Sequence, residues 1–163
     1  MKHLDLKRKP KVLVLSDLHG WMDLDLGFSD GVIRLDSRTL AEIKGGEHVH
    51  RDFLNGGIDR AVGHLVDYEV DTLIGLSIGG TIAWKAVLEG MKCRSLLCLS
   101  ATRLRYETQK PACEIKLFYG SEEPFRPKND WFTGLGLSFK EVQNMDHEFY
   151  KNHEIIKSCE LLY

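Results

Sequence analysis

The stretch DTLIGLSIGGTIAWKAV (residues 71–87) places one serine at the junction of two different patterns. Before Ser77, a short apolar run is typical of a strand that is buried on both faces. After it, a run of small and apolar residues predicts a helix, which Gly90 is suited to end. Gly75 and Gly79 stand two residues before and after the serine, so little side-chain bulk surrounds it. The sequence therefore predicts a sharp strand-to-helix turn with Ser77 at its apex.

Strand and helix patterns alternate along most of the chain. Further strands are predicted at KVLVLS, RSLLCLSAT, CEIKLFYG and LSFKEVQ. Helices are predicted within RDFLNGGIDRAVGHLVDY, from Phe53 to Val66, although two glycines weaken its start, and after Pro127. The final segment, HEFYKNHEIIKSCELLY, has an amphipathic helical pattern. This alternation predicts a mostly parallel sheet with helices on both faces, a three-layer α/β/α sandwich, and we expect residues 1–163 to form a single domain.

Residues 27–55 are the least regular part of the sequence, and we expect mainly irregular loop there. Within them, GVIRLDSRTLAEI alternates apolar and polar residues, which also fits a short strand or a hairpin.

Composition excludes several classes of function. The formal net charge of −2 gives no electrostatic reason to expect nucleic acid or an anionic membrane as a partner. No apolar run approaches the roughly 18 residues of a membrane span, and the first residues lack the apolar region of a signal peptide. The four cysteines have no C-x-x-C spacing, so we expect neither a metal nor a redox motif. Scattered thiols suit a reducing compartment, and we expect the cytoplasm.

The predicted turn would project the Ser77 hydroxyl out of the sheet, and the N–H of Ile78 would point toward an oxygen bound above it. A serine hydroxyl is a poor nucleophile unless a base takes its proton and a third group orients that base. Glu122 and Glu123 follow the strand at residues 113–120, and His147 follows the last predicted strand. Each candidate therefore follows a successive strand, in the order serine, acid, histidine, which is the order of the α/β hydrolases.

The segments LIGLSIGGTIAWKA, IKLFYGSEEPFRP and MDHEFYKNHEII together resemble the three catalytic blocks of a small α/β-hydrolase-fold protein, and the likeness extends over most of the chain. The resemblance implies a minimal fold without a lid domain and no cofactor. It implies that Ser77 is the nucleophile, that His147 acts as general base and then acid, and that a carboxylate orients the histidine. The family's Gly-x-x-acid pattern, counted from Gly120, gives Glu123. Many members have Asp there, and the longer reach of Glu leaves Glu122 as a rival.

The family also takes an oxyanion-hole donor from the loop after the first strand, where this chain has LSDLHGW (residues 15–21). The family often has a His-Gly dipeptide at this strand end, followed by the residue that donates its N–H. If Ser16 and Asp17 take the place of that dipeptide, Leu18 is the donor; if His19 and Gly20 do, Trp21 is the donor. We favour Leu18 because it lies closer to the strand end. Trp21 is also the tryptophan best placed to line an acyl pocket.

The segment SDLHG resembles, in addition, the first metal-binding block of the calcineurin-like metallophosphoesterases. Asp59 fits a second block of that family, but Gly56 stands where its bridging aspartate belongs, and KNHE has no histidine after it. A two-metal site cannot be completed from these parts, so a metal-dependent phosphoesterase is disfavoured. A non-catalytic binding module with the same fold stays open as an alternative, as does an acyltransferase, which would use the same nucleophile.

The segment that contains Arg103 and Arg105 follows the strand RSLLCLSAT, so we expect it to begin at the same edge of the sheet as Ser77. If this segment is extended, both side chains share one face, where they could hold a carboxylate or phosphate of a substrate. The alternative is a structural role, with pairing to Glu107 or to a helix-end carbonyl. The chain has no room for a helical lid between residues 101 and 114, so we expect a small, accessible ester, thioester or amide as substrate.

Overall fold

The computed structural model describes residues 11–21 and 32–158. The first half of this part of the chain contains β1 (Val12–Leu15), β2 (Val32–Leu35), α1 (Ser37–Leu40), α2 (Val49–Asp52), a π-helical segment (Phe53–Gly57) and α3 (Ile58–Leu65). The second half contains β3 (Glu69–Leu76), α4 (Ile78–Leu88), β4 (Lys92–Leu99), β5 (Glu114–Gly120), α5 (Asn129–Gly134), β6 (Lys140–Val142) and α6 (His153–Ser158). Two short 3₁₀ turns, Leu104–Tyr106 and Phe149–Lys151, precede β5 and α6.

The strands form one six-stranded sheet in the order β2-β1-β3-β4-β5-β6, and every neighbouring pair is parallel. After β2 the chain returns across β1 and then adds each new strand on the same side. Because all six strands run in one direction, their carboxyl ends meet at one edge of the sheet. The loops that follow β1, β3, β4, β5 and β6 are therefore brought together there, as in other open parallel sheets.

The sheet is covered on both faces, which confirms the predicted three layers. Alternate residues of a strand belong to different core clusters: Leu13 and Leu15 of β1 join one cluster, whereas Val14 joins the other. The first cluster contains residues of α3, α4 and α5, among them the fully buried Trp84. The second contains the 3₁₀ turn Phe149–Lys151 and Ile156 of α6. In the part of the chain that the structure describes, no helix is long and apolar enough to span a bilayer.

The expectation of mainly irregular loop at residues 27–55 is wrong for much of that stretch, although residues 27–31 lie outside the described part. β2 pairs in parallel with β1, so GVIRLDSRTLAEI contains a strand and the start of a helix and not a hairpin. Local pattern hides these elements because each has only four residues. Contacts with other parts of the chain hold these short elements in place. For example, the Ser37 N–H donates to Ser16 Oγ at 2.8 Å, which fixes α1 to the end of β1.

The helix predicted over residues 53–66 is interrupted near its start. The π-helical segment comes first, and Asn55 and Gly56 leave the helical conformation within it, with φ of 98° at Gly56. Regular α-helix begins only at Ile58, after the two glycines that weaken the pattern. At the other end of the chain, the predicted C-terminal helix is a 3₁₀ turn followed by α6, and residues 159–163 lie outside the described part.

Candidate active site

Ser77 occupies the turn between β3 and α4 in a backbone conformation that few residues other than glycine adopt. Its φ is 53° and its ψ is −117°. Such a conformation costs on the order of 1–3 kcal/mol and persists only where surrounding contacts hold it. Here the Ser77 N–H donates to the Leu99 carbonyl at 2.9 Å, and its own carbonyl accepts from the Gly80 N–H at 2.9 Å. The main chain therefore fixes the direction of the Ser77 side chain from both sides of the turn.

The glycines around Ser77 permit a very close approach between strand and helix. A Cβ atom on Gly75 would overlap the backbone of Gly80, because β3 and the first turn of α4 nearly touch. A Cβ atom on Gly79 would overlap the carbonyl oxygen of Ser16, directly after β1. Glycine at these two positions is therefore a steric requirement of the sharp turn, which explains the G-x-S-x-G spacing physically.

Ser77, His147 and Glu123 form a continuous hydrogen-bonded chain. The distance from Ser77 Oγ to His147 Nε2 is 2.8 Å, and that from His147 Nδ1 to Glu123 Oε1 is 2.7 Å. Since a carboxylate only accepts, the Nδ1–H donates to Glu123, and Nε2 is left as the acceptor of the Ser77 hydroxyl. Ser77 is 2% exposed and the Glu123 side chain 1%, whereas a quarter of the His147 side chain reaches solvent. This arrangement can carry a proton from Ser77 Oγ to His147 while Glu123 stabilises the resulting imidazolium.

The carboxylate of Glu123 is held by two further donors. Its Oε2 accepts from the Gly120 N–H at 3.1 Å and from the Ser100 hydroxyl at 2.9 Å. These donors hold the buried carboxylate in one orientation, with Oε1 directed at His147. Glu122 is exposed, and its side chain makes no hydrogen bond or ion pair within residues 11–21 and 32–158. The geometry therefore joins Glu123, and not its rival, to the histidine.

Ser100 is a site residue that the sequence reasoning did not single out. It follows β4 directly and has φ of 51°, so it resembles Ser77 in both position and backbone conformation. Its N–H donates to the Phe118 carbonyl of β5 at 2.9 Å, and its hydroxyl supports Glu123. The available signal was a polar residue directly after an apolar strand, at the edge where the other site residues lie.

Asp17 and Tyr150 connect the loop after β1 to the segment that carries His147. The Tyr150 hydroxyl donates to Asp17 Oδ2 at 2.8 Å, and the His19 N–H donates to Asp17 Oδ1 at 2.9 Å. Asp17 is 2% exposed, and the ring of Tyr150 meets that of His147 edge-on, with centroids 6.1 Å apart. Burial, and then the Asp17 charge, raise the pKa of Tyr150 well above its ordinary range, so it stays a donor.

The predicted oxyanion-hole donors, Ile78 and Leu18, lie after β3 and after β1, at the carboxyl edge of the sheet. Ile78 is the first residue of α4, where an N–H has no acceptor within the helix. Leu18 lies in the turn that the Gly20 N–H closes on the Asp17 carbonyl at 3.2 Å. The rival Trp21 packs its ring against the second core cluster. The assignment of the second donor, and an acyl-pocket role for Trp21, stay predictions.

The segment that carries Arg103 and Arg105 is not extended, so that premise of the sequence reasoning is wrong. Arg103 is left-handed, with φ of 62°, and Leu104–Tyr106 is a 3₁₀ turn. Both guanidinium groups lie over the same ring, at 4.7 and 4.6 Å from the Tyr106 centroid. Arg105 also donates to the Phe125 carbonyl and to the Tyr106 hydroxyl, at 3.4 and 3.1 Å. Their binding of a substrate stays a prediction.

The residues of the metallophosphoesterase-like pattern do not assemble in the described part of the chain. The Asp17 carboxylate is engaged by Tyr150 and the His19 N–H, whereas the His19 side chain is exposed. Over residues 11–21 and 32–158, no group of three or more His, Cys, Asp or Glu side chains is arranged to hold a metal ion.

Neither a protein-family model nor a curated protein sequence matches this chain. Solved structures of low sequence identity nevertheless share its fold. An α/β serine hydrolase without a lid from Xanthomonas campestris is 14% identical, with a TM-score of 0.56, over 95% of this chain and 81% of that one. The esterase domain of a Rhodothermus marinus protein is 13% identical, with a TM-score of 0.57, over 94% and 84% of the two chains.

A third match is an α/β hydrolase from the metagenome of sediments of the Mar Chica lagoon in Morocco. It is 14% identical, with a TM-score of 0.58, over 94% of this chain and 90% of that one. In all three comparisons the match covers 94–95% of this chain and 81–90% of the other, so the likeness concerns the architecture as a whole and not one motif. The chain has the α/β-hydrolase fold, and its described residues include no helical lid between β4 and β5.

Proposed function

We propose that the protein is a serine hydrolase that acts on a small ester, thioester or amide through Ser77, His147 and Glu123. The observation that carries the proposal is the pair of short hydrogen bonds, 2.8 and 2.7 Å, that join the three side chains in the order needed for proton transfer. A site that had lost its activity would not be expected to keep both hydrogen bonds and the strained backbone conformation of Ser77. The fold that this chain shares with known hydrolases is consistent with the proposal.

In the proposed reaction, His147 Nε2 takes the Ser77 proton as Oγ attacks the acyl carbon, and the carbonyl oxygen becomes an oxyanion. The N–H groups of Ile78 and Leu18 are the proposed donors to that oxyanion. The imidazolium then returns its proton to the leaving alcohol, thiol or amine, which departs as the acyl-enzyme forms. Water attacks next, with His147 again as base, and the product acid leaves while Ser77 regains its proton. Glu123 stabilises the imidazolium in both halves of the reaction.

A small and accessible substrate is favoured because only a 3₁₀ turn stands between β4 and β5, where a lid would be inserted. With no helical cover in the described residues, the site lacks the closed apolar pocket that a long lipid chain requires. The water that deacylates the enzyme can also enter freely, which favours hydrolysis over acyl transfer.

A fluorophosphonate probe tests the proposal directly. We expect it to label the wild-type protein at Ser77 and to leave Ser77→Ala unlabelled, because only an activated serine attacks phosphorus at a useful rate. The same substitution should reduce hydrolysis of 4-nitrophenyl acetate by about 10³-fold or more. Ser95→Ala is the matched control: Ser95 lies in β4, hydrogen-bonded to Glu114 at 3.3 Å, and its loss should change neither readout.

Equal labelling of wild type and Ser77→Ala would overturn the nucleophile assignment. Absence of labelling in both, with folding intact by circular dichroism, would favour a non-catalytic binding module instead.

A further inference from the structure

Arg103 lies beside the candidate nucleophile because Thr102 is bound to the serine turn. The Thr102 N–H approaches the Ser77 carbonyl at 3.4 Å, and the Thr81 hydroxyl donates to the Thr102 carbonyl. Thr81 lies one helical turn beyond Ser77 in α4, which is about 6 Å along the helix. The backbone of Thr102 is therefore fixed to the Ser77 turn, and Arg103 is the next residue along the chain.

The positive charge of Arg103 is not neutralised by any residue in the described ranges. No carboxylate in residues 11–21 or 32–158 forms an ion pair with it. Within the described part of the chain, the Arg103 guanidinium lies over the ring of Tyr106, and the guanidinium of Arg105 lies over the same ring. Two like charges on one ring repel each other, and Arg103 is held there in a left-handed conformation that costs free energy. Of the two arginines, only Arg105 donates hydrogen bonds to the protein.

Arg103 lines a cleft of about 280 Å³ whose opposite wall is partly apolar. The apolar side is formed by Phe53, Leu54 and Ile58, at and after the π-helical segment. The cleft also contains two acids. Glu107 is neutralised by Lys85, whose Nζ lies 3.0 Å from its Oε1, and Asp59 is exposed on α3. The lining is mixed, with Leu54 as its exposed apolar residue, and the guanidinium of Arg103 can donate to an acceptor group at the end of a short chain.

We propose that the substrate's acyl chain carries a terminal anionic group, a carboxylate in the simplest case, which Arg103 binds in this cleft. The inference rests on the proposed function, since Ser77 must attack the acyl carbon of the same chain. Thr81 lines the same cleft and is bound through Thr102 to the Ser77 turn, so a six-carbon acyl chain with a carboxylate at its far end is the first substrate to test. The guanidinium presents a planar fork of donors that matches a carboxylate, and the unpaired state of Arg103 leaves this fork free.

Two esters of equal length test the proposal: mono(4-nitrophenyl) adipate, which ends in a carboxylate, and 4-nitrophenyl hexanoate, which ends in a methyl group. We expect Arg103→Asn to reduce kcat/KM for the adipate by about 10- to 100-fold, mainly through KM, and to leave the hexanoate within about twofold. Asn is chosen because it tolerates the left-handed conformation of Arg103. Unchanged hexanoate hydrolysis then shows that the variant is folded and active.

Three further variants separate a specific contact from general electrostatics. Arg94→Gln removes an exposed positive charge near the opposite end of β4 and should change neither ester. Arg105→Ala should reduce the adipate reaction less than Arg103→Asn, because Arg105 is bound to the Phe125 carbonyl. Asp59→Asn removes the unpaired acid of the cleft and should raise kcat/KM for the adipate by roughly twofold.

Equal losses for both esters in Arg103→Asn, or no loss for either, would overturn this inference while the hexanoate reaction still supports a serine hydrolase. If the wild-type protein reacts with a fluorophosphonate but hydrolyses neither ester, the inference also fails and the proposed nucleophile stands. If it neither reacts with the probe nor hydrolyses an ester, both proposals fail together.

Discussion

The residues of the candidate site owe their positions to unusual backbone conformations rather than to long side chains. Ser77 and Ser100 both have positive φ, and each directly follows a buried parallel strand. At both positions the chain turns sharply at the carboxyl edge of the sheet, so a short hydroxyl side chain is enough to reach its partner. Ser77 reaches His147, and Ser100 reaches Glu123.

Glu123 and Glu122 offer a sharp test at this scale, because they are adjacent and chemically identical. Glu123→Gln replaces the buried carboxylate with a neutral amide, which cannot stabilise the imidazolium and can select the wrong histidine tautomer. We expect kcat for 4-nitrophenyl acetate to fall by about 10²- to 10⁴-fold, with little change in KM. Glu122→Gln, an exposed position, should stay within about twofold of wild type. Equal losses in the two variants, or a loss only in Glu122→Gln, would show that the acid assignment is wrong.

The sequence identified Ser77 and His147 as candidates and favoured Glu123 as the acid, with Glu122 as a rival. The flanking glycines, which the sharp turn requires, identify the serine. The position after the last strand identifies the histidine. The choice between Glu122 and Glu123 depends on the path of one loop, which is fixed by the Gly120 N–H and the Ser100 hydroxyl. The contact with Ser100 joins residues 23 positions apart, so no local sequence pattern predicts it. The left-handed conformation of Arg103 was not predicted, because nothing in the residue type of an arginine indicates positive φ.

At the scale of elements, the contact between Asp17 and Tyr150 joins β1 to the segment before α6. Tyr150→Phe would remove the hydroxyl that donates to a carboxylate only 2% exposed, while leaving the ring in place. We expect the free energy of unfolding, measured with urea, to fall by about 1–3 kcal/mol, since a buried acceptor then lacks a partner. Tyr68→Phe is the control, because Tyr68 is 40% exposed and its change should stay within about 0.5 kcal/mol.

The same contact predicts the direction of a pH effect. Burial and the Asp17 charge raise the pKa of Tyr150 above its ordinary value of 10.0, so the unfolded chain loses this proton at a lower pH than the folded one. The contribution to stability is complete below about pH 10 and is lost as the pH rises further. The difference in stability between wild type and Tyr150→Phe should therefore shrink above pH 10. A difference that is constant from pH 8 to 11 would contradict the ionisation argument.

The short elements between β1 and α3 show why sequence patterns fail at this scale. β2, α1 and α2 contain four residues each, which is too few for a period of 2 or 3.6 to stand out. One local signal was present: Asp36 caps α1 by accepting from the Thr39 N–H at 3.0 Å. The longer β3, α4, β4 and β5 were predicted because their apolar runs are long enough to identify.

For the molecule as a whole, the parallel sheet explains both the stability and the place of the site. Every central strand is buried on two faces, so its residues contribute to two core clusters at once. The same parallel direction brings the loops after β3, β4, β5 and β6 to one edge, which is why three side chains separated by up to 70 residues can meet. Opening that sheet would expose both clusters, so we expect its central strands to open only when the whole molecule unfolds.

The reactivity of the thiols in β4 and in the segment before β5 can show whether the sheet opens only when the whole molecule unfolds. Cys98 is fully buried in the first core cluster, and burial raises the pKa of its thiol well above the ordinary range. Cys113 is half-buried, and a hydrogen bond from the Cys93 thiol lowers its pKa. Because the thiolate is the reactive form, iodoacetamide at pH 8 should modify Cys113 in the native protein, before Cys93 and long before Cys98.

Alkylation of Cys98 should instead require global unfolding. When its rate is followed by peptide mass spectrometry at increasing urea concentrations, we expect its logarithm to rise with the same slope as the equilibrium unfolding curve, whereas the Cys113 rate should hardly change below the transition. Cys113→Ser controls for indirect effects of the first modification and should leave the Cys98 slope unaltered. If Cys98 reacts as fast as Cys113 in the absence of urea, β4 opens independently of the rest of the sheet. The argument that two-sided burial makes the sheet a single cooperative unit would then be wrong.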